Sequence, residues 1–184
     1  MQRKITILGG GNGARTAAVE ISLLGHQVTL YEIESLVSHV AAIKAAGYIE
    51  AHGSIQGRAP INVELDLKKA VGGSELILVI VPTMYQINYA RLLAPLLQKG
   101  QSVALMPGSL GALEFRAELD RLGGEREITI GEFAALPYAT RIQSPVSVHV
   151  FGRRRYVSAG IFPASETTRV MPVYEDIYPG IERM

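Results

Sequence analysis

Five residues, Gly9-Gly10-Gly11-Asn12-Gly13, constrain this chain more than any other stretch. Before them lies Ile5-Thr6-Ile7-Leu8, short, β-branched and apolar at both parities, which predicts a strand buried on both faces of a parallel sheet. After them Ala14, Ala17, Ala18, Ile21 and Leu24 recur at helical spacing until Gly25 stops the run. Strand, tight turn and helix follow one another without slack. Gly9 permits the turn, Gly11 removes the Cβ that would block a close approach to the backbone, and Ala14 is small enough for the helix to pack on the sheet. The helix start offers unpaired amides and a partial positive charge to an anion. In this setting Gly9-x-Gly11-x-x-Ala14 reads as a dinucleotide-binding turn that cradles a diphosphate, with Gly10, Asn12 and Gly13 completing the cradle.

Gln27 to Tyr31 forms a second strand, closed by Glu32 about twenty residues beyond the glycine turn. A carboxylate there accepts hydrogen bonds from both hydroxyls of an adenosine ribose and repels a 2′-phosphate. Ile33-Glu34 supplies no arginine for that phosphate, so NAD is favoured over NADP, with Arg15 or another distant cation left to compensate. The whole-chain balance agrees with a local site. With 18 Lys+Arg against 17 Asp+Glu, the net charge of +1 gives no field to recruit nucleic acid or an anionic membrane surface. No apolar run reaches membrane-spanning length, and the first residues are too short for a signal-peptide core. The absence of cysteine removes disulfides, thiolate metal sites and a thiol nucleophile, and fits a cytoplasmic setting.

Further along, Ser35 to Ala46 and Leu65 to Val71 read as helices. Tyr48–Ala51 and Ile61–Glu64 alternate about a polar turn, as a small antiparallel excursion would. Leu76 to Val81 is the most apolar strand, followed by a helix over Gln86–Leu97, a strand over Ser102–Met106, a helix over Ala112–Leu122 and a strand over Glu127–Ile130. Strands alternating with helices predict an α/β fold, a Rossmann-type doubly wound, mostly parallel sheet. From Pro145 the pattern changes: Val146–Val150 and Tyr156–Ala159 flank Phe151-Gly152-Arg153-Arg154 as a small antiparallel hairpin near the C-terminus, and Ser165 opens a helix interrupted at Pro172. Residues 1–184 thus read as one dinucleotide-binding domain, with 145–184 a hairpin and helix extension.

Pro82 and Thr83, and Gly108 and Ser109, follow predicted parallel strands at the rim where open α/β sheets bind ligands, and are candidates to line the cofactor. Either pair also reads as an ordinary strand-ending turn. Tyr138 and Arg141 are polar-tipped residues in an apolar stretch; Arg141 could hold a substrate carboxylate bidentately, and a surface or capping role is the competing reading. His26, His39, His52 and His149 show no metal-ligand or catalytic spacing and read as surface or core residues, and Arg153-Arg154-Arg155 as a solvated hairpin tip. No residue is assigned to a metal or to catalysis.

The motifs, taken in order, resemble the opine dehydrogenases of octopine and nopaline type over almost the entire chain. They are Ile7-Leu8-Gly9-Gly10-Gly11-Asn12-Gly13-Ala14, Val81-Pro82-Thr83, Met106-Pro107-Gly108-Ser109 continuing to Phe115, Leu136-Pro137-Tyr138-Ala139-Thr140-Arg141 and Val148-His149-Val150-Phe151-Gly152. Ala14 departs from the glycine frequent there. The resemblance implies the cofactor-binding half of an oxidoreductase that condenses an amino acid with an α-keto acid by hydride transfer to an imine. It further implies a helical second domain, carrying the catalytic histidine, beyond these residues. A ketopantoate-reductase-like or glycerol-3-phosphate-dehydrogenase-like domain shares the same half. A third reading is a non-catalytic nucleotide sensor that forms a homodimer through the face a second domain would cover.

Overall fold

The computed structural model describes residues 1–183. The first three elements are β1 (Lys4–Leu8), α1 (Asn12–Leu23) and β2 (Gln27–Tyr31). The chain continues through α2 (Ser38–Ala46), β3 (Tyr48–Gly53), β4 (Gly57–Pro60), β5 (Asn62–Val63), α3 (Leu67–Val71) and β6 (Leu76–Val79). Then come α4 (Gln86–Leu93), β7 (Ser102–Leu105), α5 (Gly111–Arg121), β8 (Thr129–Phe133), β9 (Tyr138–Ser144) and β10 (Ser147–Arg153). The last elements are β11 (Val157–Phe162), α6 (Thr167–Ile177) and β12 (Ile181–Arg183).

Eight strands form one sheet in the order β12-β11-β8-β7-β6-β1-β2-β5, parallel from β8 to β5, with β11 antiparallel to β8. Parity explains the continuous apolar strands: Ile5, Ile7, Leu76 and Leu78 enter the core on one face, Leu8, Ile77 and Val79 that on the other. Helices α3, α4 and α5 cover the second face, while α1 and α6 lie on the first. The chain leaves β1 toward β2 and later returns to β6 on the other side of β1, so the order reverses there. Leu8 is in register with both Tyr31 and Val79, and Val79 with Leu105. The segments that follow these residues therefore emerge in one row, over the crevice where such sheets take ligands.

The remaining strands form a second sheet, β4-β3-β10-β9, whose outer pairs are antiparallel and whose central pair, β3 with β10, is parallel. It packs on α1, which is consequently buried over nine consecutive residues, Gly13 to Ile21. This arrangement corrects several expectations. The partner of Tyr48–Gly53 is Gly57–Pro60, and Asn62–Val63 instead joins the edge of the large sheet. The antiparallel hairpin is built one strand earlier than expected, from β9 and β10, because Val157–Phe162 crosses back to pair with β8. Residues beyond 145 are therefore woven into both sheets rather than appended to them. Finally, α6 runs through Pro172 without interruption, and α4 ends at Leu93, before Pro95.

Candidate dinucleotide site

Gly9 continues β1 with φ of +118°, and its N–H donates to the carbonyl of Tyr31 at 2.9 Å. A Cβ there would stand 2.6 Å from the carbonyl oxygen of Ile80, so the glycine is demanded twice, by conformation and by space. At Gly13 a Cβ would meet Leu136 at 2.8 Å, and Ala14 is fully buried; these two let α1 settle into the fold. Gly11 differs from both. Its φ of −79° and ψ of −173° suit any residue, and a Cβ there would meet nothing within 4 Å. Nothing inside the protein asks for glycine at position 11; the space it leaves opens outward over the start of α1, where no side chain caps the helix.

Glu32 is buried beside this bend. One carboxylate oxygen accepts the N–H of Gly10 at 2.8 Å and the other that of Ile33 at 3.0 Å. His39 Nδ1 lies 3.7 Å from the first oxygen. Below the bend Arg15, 4% exposed, donates from Nε to the carbonyl of Gly10 at 2.9 Å and from Nη1 to that of Pro145 at 2.9 Å, and its remaining nitrogen reaches the carbonyl of His39. Burial lowers the Arg15 pKa and the charge of Glu32 opposes that shift. The guanidinium is thus committed to three carbonyls. Its burial beneath the bend weighs against the compensating role considered for it.

A cleft of about 480 Å³ opens between the ends of β1, β2 and β6. Gly9, Gly10, Gly11 and Glu32 line one side, and Val81, Pro82, Tyr85 and Tyr89 the other. The Tyr89 phenol is pushed well above its ordinary range, by burial first and then by the Glu32 charge. The cleft joins a flat apolar slot to one buried carboxylate and a set of free amides, a chemistry suited to a nucleoside diphosphate. Several cleft residues escaped the sequence reading, among them His39, taken as surface or core, and Tyr85, Tyr89 and Leu92. The last three recur at helical spacing directly after Pro82, and that was their legible signal.

The other expected residues fall elsewhere. Thr83 starts a single 3₁₀ turn and is exposed, outside the cleft lining. Gly108 packs against Glu132, where a Cβ would lie 2.1 Å from the Glu132 Cβ, and Ser109 is exposed with φ of +53°. Glu132 accepts the N–H groups of Leu110 and Ala112 at 3.2 and 3.0 Å, so a carboxylate of the chain already serves the start of α5.

Asn12, Thr16 and Glu20 form a polar stripe on α1, four residues apart. Asn12 Oδ1 accepts the Ile142 N–H at 2.7 Å, Thr16 pairs with Thr140 through their hydroxyls at 2.9 Å, and Glu20 accepts the Tyr138 hydroxyl at 2.7 Å. A helical step of four residues is about 6 Å and a two-residue strand step about 6.8 Å, which keeps the rungs aligned. Tyr138 is the third rung, two turns from the glycine bend, and burial beside Glu20 pushes its phenol well above the ordinary range. Arg153, expected at a solvated tip, pairs with Glu20 and lies 3.9 Å over the Tyr178 ring. Arg141 is exposed on the outer side of β9, opposite His149. Among the described residues no three acidic or histidine side chains are placed to hold a metal, and no helix is long and apolar enough to cross a membrane.

No protein-family model matches the chain. In sequence it is 32% identical over 163 residues to an opine dehydrogenase of Arthrobacter sp. (strain 1C), an alignment covering 87% of this chain and 45% of that one. In fold it matches an octopine dehydrogenase solved with NADH and L-arginine, with a TM-score of 0.83 at 19% identity, over 100% of this chain and 49% of that one. A ketopantoate reductase from Ralstonia eutropha JMP134 follows with a TM-score of 0.72 at 21% identity, over 98% of this chain and 56% of that one. The chain is thus similar in sequence to opine dehydrogenases and in fold to octopine dehydrogenase, and it spans less than half the length of the curated relatives it matches.

Proposed function

We propose that this chain is the NAD-binding domain of an opine-dehydrogenase-like oxidoreductase. One observation carries the reading: at the sheet's switch point, a bend whose Gly11 no internal contact requires stands over an uncapped helix start, beside a buried glutamate. The space over Gly11 accommodates a diphosphate against the amides of Gly11, Asn12 and Gly13, and Glu32 has lone pairs left for ribose hydroxyls after accepting two backbone N–H groups. Pro82, Tyr85 and Tyr89 offer apolar walls to an adenine. Gly108 and Ser109, after the next parallel strand, lie outside this cleft and are kept only as candidates for the nicotinamide end. NAD is preferred to NADP because Glu32 repels a 2′-phosphate and Arg15 is spent on backbone carbonyls.

The cofactor, when bound, supplies hydride to an imine formed from an amino acid and an α-keto acid. The residues of this chain hold it in place; Arg141, exposed on β9 beside the Ile142 whose N–H bonds Asn12, is the candidate to hold a substrate carboxylate. The test is titration of the purified chain with NADH and NADPH, followed by calorimetry and nucleotide fluorescence. Saturable NADH binding, tighter than that of NADPH, is expected. Absence of binding of either nucleotide at millimolar concentration would sink the reading. The ketopantoate-reductase likeness supports a second substrate class, separated by assaying the full-length gene product with pyruvate plus amino acids against ketopantoate.

A further inference from the structure

Gly10 is gripped by opposite charges through the two peptide units that flank its Cα. Its N–H donates to Glu32 and its carbonyl accepts from Arg15, at 2.8 and 2.9 Å. Both side chains are buried, and the guanidinium makes no ion pair; all three of its described hydrogen bonds go to carbonyls, those of Gly10, Pro145 and His39. Those three carbonyls belong to separate segments: the bend, the first turn of α2 and the turn between β9 and β10. A planar fork with donors at fixed angles can satisfy all of them at once, which a lysine ammonium cannot.

Resting on the dinucleotide reading above, we infer that Arg15 is a positioning residue for the diphosphate cradle. By fixing the Gly10 carbonyl beneath the bend it turns the following amides, those of Gly11, Asn12 and Gly13, outward over the start of α1. By holding the His39 carbonyl it also ties the cradle to α2, the element that brings His39 to the ribose side of the cleft. Arg15 touches no ligand itself. It acts through the peptide it holds, and Glu32 completes the grip from the other side.

The experiment compares the wild-type chain with Arg15→Met and Arg15→Lys, using NADH as the probe and two readouts, the dissociation constant and the backbone amide spectrum. Arg15→Met should weaken NADH about tenfold or more, because the amides lose their fixed direction. Its amide shifts should move at Gly10 to Gly13, at residues 39–40 and at Val146, whose N–H shares a peptide with the Pro145 carbonyl, and little elsewhere. Arg15→Lys should recover part of the affinity and one of the three groups of shifts. A loss of thermal stability with an unchanged NADH constant would assign Arg15 to the fold alone and overturn the inference. So would full recovery in Arg15→Lys, which would make charge sufficient without the fork. If Arg15→Met does not fold, the lysine variant decides by the same criteria. If the wild-type chain itself fails to bind NADH, the dinucleotide reading falls, and the amide shifts alone then judge whether Arg15 sets the bend.

Discussion

Gly11→Ser separates folding from ligand binding at a single atom position. Gly11 is the N-cap of α1, its backbone angles suit any residue, and its missing Cβ faces open space. Serine is a preferred N-cap whose hydroxyl accepts the N–H two or three residues on, here Gly13 or Ala14. The variant should therefore fold with stability equal to wild type or higher by a few tenths of a kcal/mol. The same hydroxyl, however, occupies the space over the bend and consumes an amide proposed for the diphosphate. Losing one or two hydrogen bonds to a charged group costs about 1.5–3 kcal/mol, or roughly ten- to a hundredfold in Kd for NADH. The contrasting variant is Gly9→Ala. There φ is +118° and the new Cβ would sit 2.6 Å from the Ile80 oxygen, so a cost of about 2–3 kcal/mol and a Tm lower by roughly 5–10 °C are expected. Differential scanning calorimetry and NADH titration on both variants give the four numbers. If Gly11→Ser binds NADH within twofold of wild type, or melts as early as Gly9→Ala, the division of labour between the two glycines is wrong.

Glu32→Gln keeps one acceptor for the Gly10 and Ile33 amides and removes the charge, so it should lower stability by about 1–3 kcal/mol and narrow the NADH over NADPH preference, read as the ratio of the two dissociation constants. Tyr138→Phe deletes the hydroxyl that donates to Glu20, which should lower the urea midpoint by an amount worth about 1–2 kcal/mol and leave NADH binding unchanged; a selective loss of binding would return Tyr138 to the site. Hydrogen bonds from Arg121 and Arg91 hold the Glu118 carboxyl down at about 2. Because the folded value lies below the ordinary 4.5, this stabilisation is full above about pH 4.5 and fades as pH falls toward 2. Glu118→Gln should accordingly flatten the acid side of the stability profile across that window.

The large sheet was legible because its strands are apolar at both parities and its helices are punctuated by glycine and proline. The glycine bend and Glu32 were legible for a related reason: their spacing is fixed by one strand, one turn and one helix. Pairing across long sequence separations was not. Val157–Phe162 alternates as a hairpin strand would, and only the free edge of β8, supplied by the rest of the fold, explains why it leaves β10. Asn62 and Val63 likewise pair with β2 because the edge of the large sheet lies there, a fact no window of residues contains. At the site, Tyr85, Tyr89 and Leu92 share a helical spacing that does not by itself tell a cleft wall from a core face. The Arg15 contacts span 5, 24 and 130 residues, beyond any local motif.

The polar stripe on α1 explains why a short helix can carry both a binding bend and the contact with a second sheet. A helix buried on two sides needs small residues where it meets the large sheet, and Ala14, Ala17 and Ala18 provide them. Where it meets β9 it must instead fix register, since a one-residue slip would turn the inner face of that strand outward. Asn12, Thr16 and Glu20 do this with one directional bond per turn, to Ile142, Thr140 and Tyr138 in reverse chain order. The first rung lies in the glycine turn itself, so the register of β9 and the entry angle of α1 are set by the same side chain. Asn12 therefore serves the fold through Oδ1, while its backbone amide stays with the group that faces the cleft. This accounts for an asparagine, rather than a third small residue, between Gly11 and Gly13.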